Sequence, residues 1–164
     1  MDEKKLDELN ALFYQHIHRK KTDCNWKGVR VIKMPTDVML YHKIIWEKTP
    51  DFIIDSGTKF GGSALFFQDM LDMIGKGGRV ISIDKYPVEK VKDPRVTYIE
   101  DGSTSEATIK MVKEMVGDKS VMVVLDSDHS RRHVKRELFY YSDIVTTGQY
   151  LVVEDCYMYD KGKG

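Results

Sequence analysis

Five short apolar runs, each closing on a carboxylate, constrain what this chain can fold into more than any other feature. They read FIID (52–55), RVISID (79–84), VTYIE (96–100), VMVVLD (121–126) and YLVVED (150–155), bounded by Gly, Pro, Asp or Lys as strands are. Stretches of helical spacing separate them at about 63–75, 104–116 and 130–144. Strands that are apolar on both faces and alternate with helices predict a parallel sheet, covered on both sides and joined by right-handed crossovers. In such a doubly wound α/β sheet, ligands bind outside the carboxyl ends of the strands, near the switch in strand order. Asp55, Asp84, Glu100, Asp126 and Glu154 all fall at those ends. Singly, each is explained as a helix cap or a solvated loop charge. Together, at one rim, they mark a site.

Upstream of the strands, Leu6, Leu9, Phe13 and Ile17 recur at helical spacing within residues 3–20. A connector, TDCNWKGVRVIKMP (22–35), leads to a second helix opened by Thr36 after Pro35 and marked by Val38, Tyr41 and Ile45. The expected organisation is an amphipathic helical flank over residues 1–24 and one α/β domain over 25–164. Lys plus Arg and Asp plus Glu each total 26, so no lopsided field points to nucleic acid or a membrane surface. Cys24 and Cys156 make no disulfide framework, which suits a cytoplasmic, reducing setting. The start MDEKKLDELN is too polar for a signal peptide, and no apolar run approaches the roughly 20 residues of a membrane span.

The loop DSGTKFGGSALFF (55–67) decides the ligand class. Gly57, Gly61 and Gly62 clear side chains from a tight strand-to-helix turn, so backbone can approach a ligand. The spacing is not the GxGxxG of dinucleotide folds, which disfavours a nucleotide-linked oxidoreductase. Asp55 would repel a pyrophosphate and attract a cation; S-adenosylmethionine carries both a sulfonium and an ammonium. Asp84 is placed to accept the two hydroxyls of a ribose, and Gly102 and Ser103, in EDGST past the third strand, to lie beside an adenine ring.

The runs WKGVRVIKMPTDVMLYHKII, PDFIIDSGTKFGGSALFF, VVLDSDHSRRHVKREL and GQYLVVEDCY closely resemble the cephalosporin hydroxylase family, over about residues 25–157 and in the same order. The resemblance implies the fold of class I S-adenosylmethionine-dependent methyltransferases, with strands in the order 3-2-1-4-5. It implies O-methyl transfer to a hydroxyl of an antibiotic or sugar, assisted by magnesium. On that pattern Asp55, Gly57, Gly61 and Ser63 form the cofactor loop, Asp84 binds ribose, and Glu154 and Asp155 are metal ligands. The third ligand is Asp126 or Asp128: alignment on the strand end favours the first, spacing back from Glu154 the second. The family carries glutamate where this chain has Asp55, a side chain one methylene longer. Three carboxylates from adjacent strand ends suit a hard divalent cation. His129, close in sequence to these acids, is placed to take the acceptor proton, and His133 lies one helical turn further on. Two further strands of the complete fold would follow the fifth, whereas this chain ends at DKGKG. The expected sheet therefore lacks them, and copies are expected to associate through the uncovered edge. A noncatalytic binding or assembly module built on the same fold is the rival reading.

Overall fold

The computed structural model describes residues 2–20, 24–86 and 93–156. Helix α1 (Glu3–Lys20) precedes a short antiparallel hairpin, β1 (Asn25–Trp26) and β2 (Val29–Arg30). Lys27 and Gly28 turn this hairpin with φ of 48° and 81°, the paired positive values a two-residue turn of this hand requires. The connector thus contains a hairpin, whose turn is the Lys27-Gly28 pair. Helix α2 (Pro35–Lys48) starts one residue earlier than expected, with Met34 as N-cap and Pro35 at the first helical position, where a missing N–H costs nothing.

The main sheet contains β3 (Phe52–Ser56), β4 (Arg79–Ile83), β5 (Thr97–Ile99), β6 (Val121–Leu125) and β7 (Leu151–Val153). All neighbours are parallel and the order is β5-β4-β3-β6-β7, the predicted 3-2-1-4-5. Crossovers run through α3 (Gly62–Ile74), α4 (Glu106–Val116) and α5 (Arg131–Tyr141).

Side chains alternate between two cores, as the period of two along a strand demands. Ile53, Met122 and Val124 face Tyr41, Phe66 and Phe67 of α2 and α3. Ile54, Val123 and Leu125 face Ile109, Val112 and Tyr141 of α4 and α5. Both faces being covered, the strands read as unbroken apolar runs. Because β4 and β6 leave β3 on opposite sides, the crevice opens at the carboxyl ends of β3 and β6. Among the described residues, no helix is long and apolar enough to cross a membrane.

The strands stop one or two residues before the acids expected to close them. Asp84, Asp126, Glu154 and Asp155 stand on the loops just beyond. Asp55 is the exception: it lies inside β3, opposite Ser82 and Val124, and is fully buried.

Candidate functional site

Three strand ends are joined by backbone. Gly57 donates to the Ile83 carbonyl at 2.8 Å, and Asp126 donates to the Ser56 carbonyl at 2.9 Å. Gly57 adopts φ 94°, and a Cβ there would come within 2.2 Å of the Asp126 carbonyl oxygen, so only glycine lets the two loops cross. Gly61, at φ 83°, caps α3 in the left-handed conformation. Gly62 begins that helix under the Arg30 carbonyl, which an added Cβ would approach to 2.2 Å. The β1–β2 hairpin thus lies on the start of α3, and the Trp26 indole fixes it by donating to Asp69 at 2.7 Å.

Asp55 sits beneath this loop and accepts from the Ser63 hydroxyl at 2.7 Å through Oδ2. Its Oδ1 is buried with no hydrogen-bond partner. Burial pushes the carboxyl up, while Lys33 and Ser63 pull the other way. Asp84 closes the loop from the side: its Oδ2 accepts from the Lys59 N–H at 2.8 Å and its Oδ1 from the Tyr86 N–H at 2.9 Å. Each carboxylate oxygen has a second lone pair beyond these bonds. Gly102 borders the same cleft, and an added Cβ there meets nothing within 4 Å. Ser103 is buried, its hydroxyl 3.1 Å from His133 Nε2 and its carbonyl accepting from the Tyr141 hydroxyl at 2.9 Å.

An acidic corner occupies the ends of β6 and β7. Ligand atoms of Asp126, His129 and Asp155 lie within 4.8 Å of one another. His129 Nε2 stands 3.5 Å from Asp155 Oδ2 and 3.8 Å from Asp126 Oδ1. Asp155 holds a left-handed φ of 55°, sparsely populated outside glycine and a kind of strain that clusters at functional sites. Glu154 turns inward, accepting from Lys33 Nζ at 2.8 Å and from the Tyr41 hydroxyl. The same Lys33 Nζ lies 2.8 Å from Asp126 Oδ2. Burial works against the Lys33 ammonium, but Asp126, Glu154 and Asp55 more than offset it and raise its pKa above the ordinary lysine value. Burial pushes Asp126 up to about 6, against the pull of Lys33 and with Glu154 adding to the rise.

The structure therefore gathers Asp126, Asp155 and His129, with Glu154 tied to Asp126 through Lys33. It does not bring Asp128 into that cluster. Asp128 borders the cleft but accepts from the Ser130 N–H at 2.8 Å, and this bond holds its carboxyl below the usual range. The sequence leaves open whether Lys33 lines the site or only anchors the flank, and it marks Tyr41 only as a helix residue. The available signal was a lysine set among apolar neighbours in RVIKMP.

A second missed group lies behind His133. Glu137 is 1% exposed and accepts from the hydroxyls of Ser56 and Ser127, each at 2.7 Å. His133 Nε2 is 3.1 Å from the Ser127 hydroxyl and 3.5 Å from Glu137 Oε1. The basic run before it reads as a solvated helix face, but Glu137 lies on the buried side of the turn. Glu137→Ala leaves the buried Ser56 hydroxyl without this acceptor, at about 1–3 kcal/mol, with a smaller cost from the half-buried Ser127 hydroxyl. Chemical denaturation should show that loss, with Glu137→Gln milder; an alanine variant as stable as the parent would remove the network's structural role.

The cleft lined by Gly57, Asp84, Gly102, Asp126, His129 and Asp155 holds about 650 Å³, within the range of small-molecule sites. Its chemistry suits two kinds of guest. Asp84 and the bare backbone at Gly57 suit a polar ligand, whereas Asp55, fully buried, does not line the cleft and reaches it only through its field. The carboxylate oxygens of Asp126 and Asp155 are the hard donors a magnesium ion prefers.

Residues 18–164 match the rhamnosyl O-methyltransferase/CmcI family. A rhamnosyl O-methyltransferase of Mycobacterium leprae is 34% identical over 135 residues, covering 79% of this chain and 59% of that protein. One from Mycobacterium bovis is 31% identical over 157 residues, covering 91% of this chain and 62% of its own length. The chain thus spans about three fifths of these curated relatives. Among solved structures, apo CmcI superposes with a TM-score of 0.69 at 22% identity, covering 86% of this chain and 61% of that one. CmcI with Mg and SAM gives 0.68 at 22%, covering 84% and 60%. The MycE methyltransferase of the mycinamycin biosynthetic pathway, in complex with Mg and SAH, gives 0.58 at 17%, covering 72% and 31%. At these identities the likeness is one of fold.

Proposed function

The chain belongs to the rhamnosyl O-methyltransferase/CmcI family, and from that premise we propose that it binds S-adenosylmethionine and magnesium in the cleft and transfers methyl to a hydroxyl of a small molecule, a sugar or a natural product. The observation that carries the reading is the meeting, in one cleft, of the Gly57 loop with Asp84 on one side and the Asp126–His129–Asp155 corner on the other. The mycobacterial relatives are O-methyltransferases, and the CmcI and MycE complexes hold Mg with SAM or SAH; these support the reaction class, the cofactor and the ion.

Gly57 and Gly61 keep the loop backbone bare for the methionine part, and Ser63 orients the Asp55 carboxylate below it. Asp84 offers the ribose hydroxyls the lone pairs that Lys59 and Tyr86 leave over. Gly102 and Ser103 line the base end. Asp126, Glu154 and Asp155 would hold the ion, with Asp128 as the alternative third ligand. Once bound, the cofactor would supply an electrophilic methyl group, and the ion would supply positive charge that lowers the pKa of the acceptor hydroxyl. His129 takes the acceptor proton, and Asp126 and Asp155 beside it stabilise the resulting imidazolium. The cytoplasm, where S-adenosylmethionine is available and Cys24 and Cys156 stay reduced, is the setting this reading requires.

Titration calorimetry tests the assignment. The chain should bind S-adenosylmethionine, or its demethylated product, far more tightly than NAD. Asp84→Ala should weaken that binding by about 1–3 kcal/mol, or roughly 5- to 150-fold. Tighter binding of NAD would overturn the cofactor, and an Asp84 variant that binds like the parent would take that residue out of the site.

A further inference from the structure

We propose that Lys33 is a built-in counter-cation of the acidic corner, one that competes with a divalent ion for the carboxylates of Asp126 and Glu154. The inference rests on the reading of that corner as a magnesium site. Lys33 leaves the connector between β2 and α2 and is 1% exposed. Its ammonium lies 2.8 Å from one oxygen of Asp126 and 2.8 Å from one oxygen of Glu154, joining the ends of β6 and β7. The rings of Tyr41 and Phe67, at 5.5 and 5.9 Å, wall it off from water.

A buried ammonium persists only when paired, and two carboxylates this close need a cation between them. Lys33 meets both needs with no ion present. It therefore keeps the metal-free corner intact, and it also occupies an oxygen on each of two acids that an ion would use. Two cations sharing one carboxylate repel, and the repulsion is strong where solvent is excluded. An arriving ion must share these acids with the ammonium or displace it, so Lys33 lowers affinity and lets the ion exchange.

The test is a magnesium titration of thermal stability on the full chain without cofactor, comparing the parent with Lys33→Met, which keeps the length and loses the charge. The variant should melt lower without ion, yet bind magnesium at least tenfold more tightly and gain more from saturation. Equal or weaker binding by the variant, beside a responsive parent, would overturn the competition and leave the magnesium reading standing. A variant that responds where the parent does not supports the role of Lys33 and removes magnesium from the parent's function. If neither responds, both ideas fall. Should Lys33→Met not fold, Lys33→Gln, a neutral side chain one bond shorter that keeps N–H donors, gives the same comparison under the same criteria.

Discussion

Gly57→Ala is expected to cost more than about 4 kcal/mol of stability or to abolish folding outright, a size reached only where a substitution forces backbone apart. The added Cβ would stand 2.2 Å from the Asp126 carbonyl oxygen, 2.5 Å from its carbon and 2.6 Å from Ser127 Cα, at a φ of 94° that alanine adopts only under strain. None of these atoms belongs to a side chain that can swing away. Relief requires the β3 loop or the β6 loop to move, and the second carries Asp126. A variant that survives should therefore lose cofactor binding and magnesium response together. Gly102→Ala is the control: its Cβ meets nothing within 4 Å, so stability should change by less than about 0.5 kcal/mol. Denaturant titration of both decides the matter, and a Gly57 variant as stable as the Gly102 variant would show that the loops do not cross as described.

Magnesium itself is the second large expectation. An ion that binds only the native state stabilises it by mass action, about 2.7 kcal/mol at a hundredfold excess over the dissociation constant. The parent should melt progressively higher as magnesium is added. Glu154→Gln, which keeps shape and loses charge, should abolish the response. Asp126→Asn should do the same, because Asp126 faces His129 and Asp155 across the corner. Asp128→Asn should keep most of the response, since the Asp128 carboxylate serves the Ser130 N–H and an asparagine oxygen can still accept that bond, if more weakly. A reversed pattern would make Asp128 the ligand. If all three variants respond like the parent, these acids are loop charges and the metal-assisted mechanism fails, whatever becomes of the cofactor.

The sheet was legible because its strands are buried on both faces while α4 and α5 are buried on one, so the strand runs stand out in Ile53–Ile54 and in Val121–Leu125. The strand-end acids were legible for a related reason: a charge after an unbroken apolar run must lie at a rim. What could not be read is whatever depends on distant segments meeting. Asp55 was expected to face the loop, but the last turn of the strand carries it inward to Ser63. Lys33 pairs with acids that follow it by most of the chain's length, and no local pattern announces such a partner. Glu137 resembles any helix-surface glutamate until Ser56 and Ser127 are seen to point at it. Asp126 and Asp128 stay equivalent in sequence, because only the turn into α5 sends one to the corner and the other to a backbone N–H.

The contact between Gly62 and the Arg30 carbonyl constrains how this chain can diverge. The atoms that meet are main chain on both sides, so the restriction is lopsided: position 62 admits almost nothing but glycine, whereas position 30 is released by this contact to vary in side chain. Homologues can therefore exchange residues along the hairpin while its path over the helix start stays fixed. A profile drawn from many sequences would register a lone invariant glycine and no partner for it, even though the two segments are in direct touch.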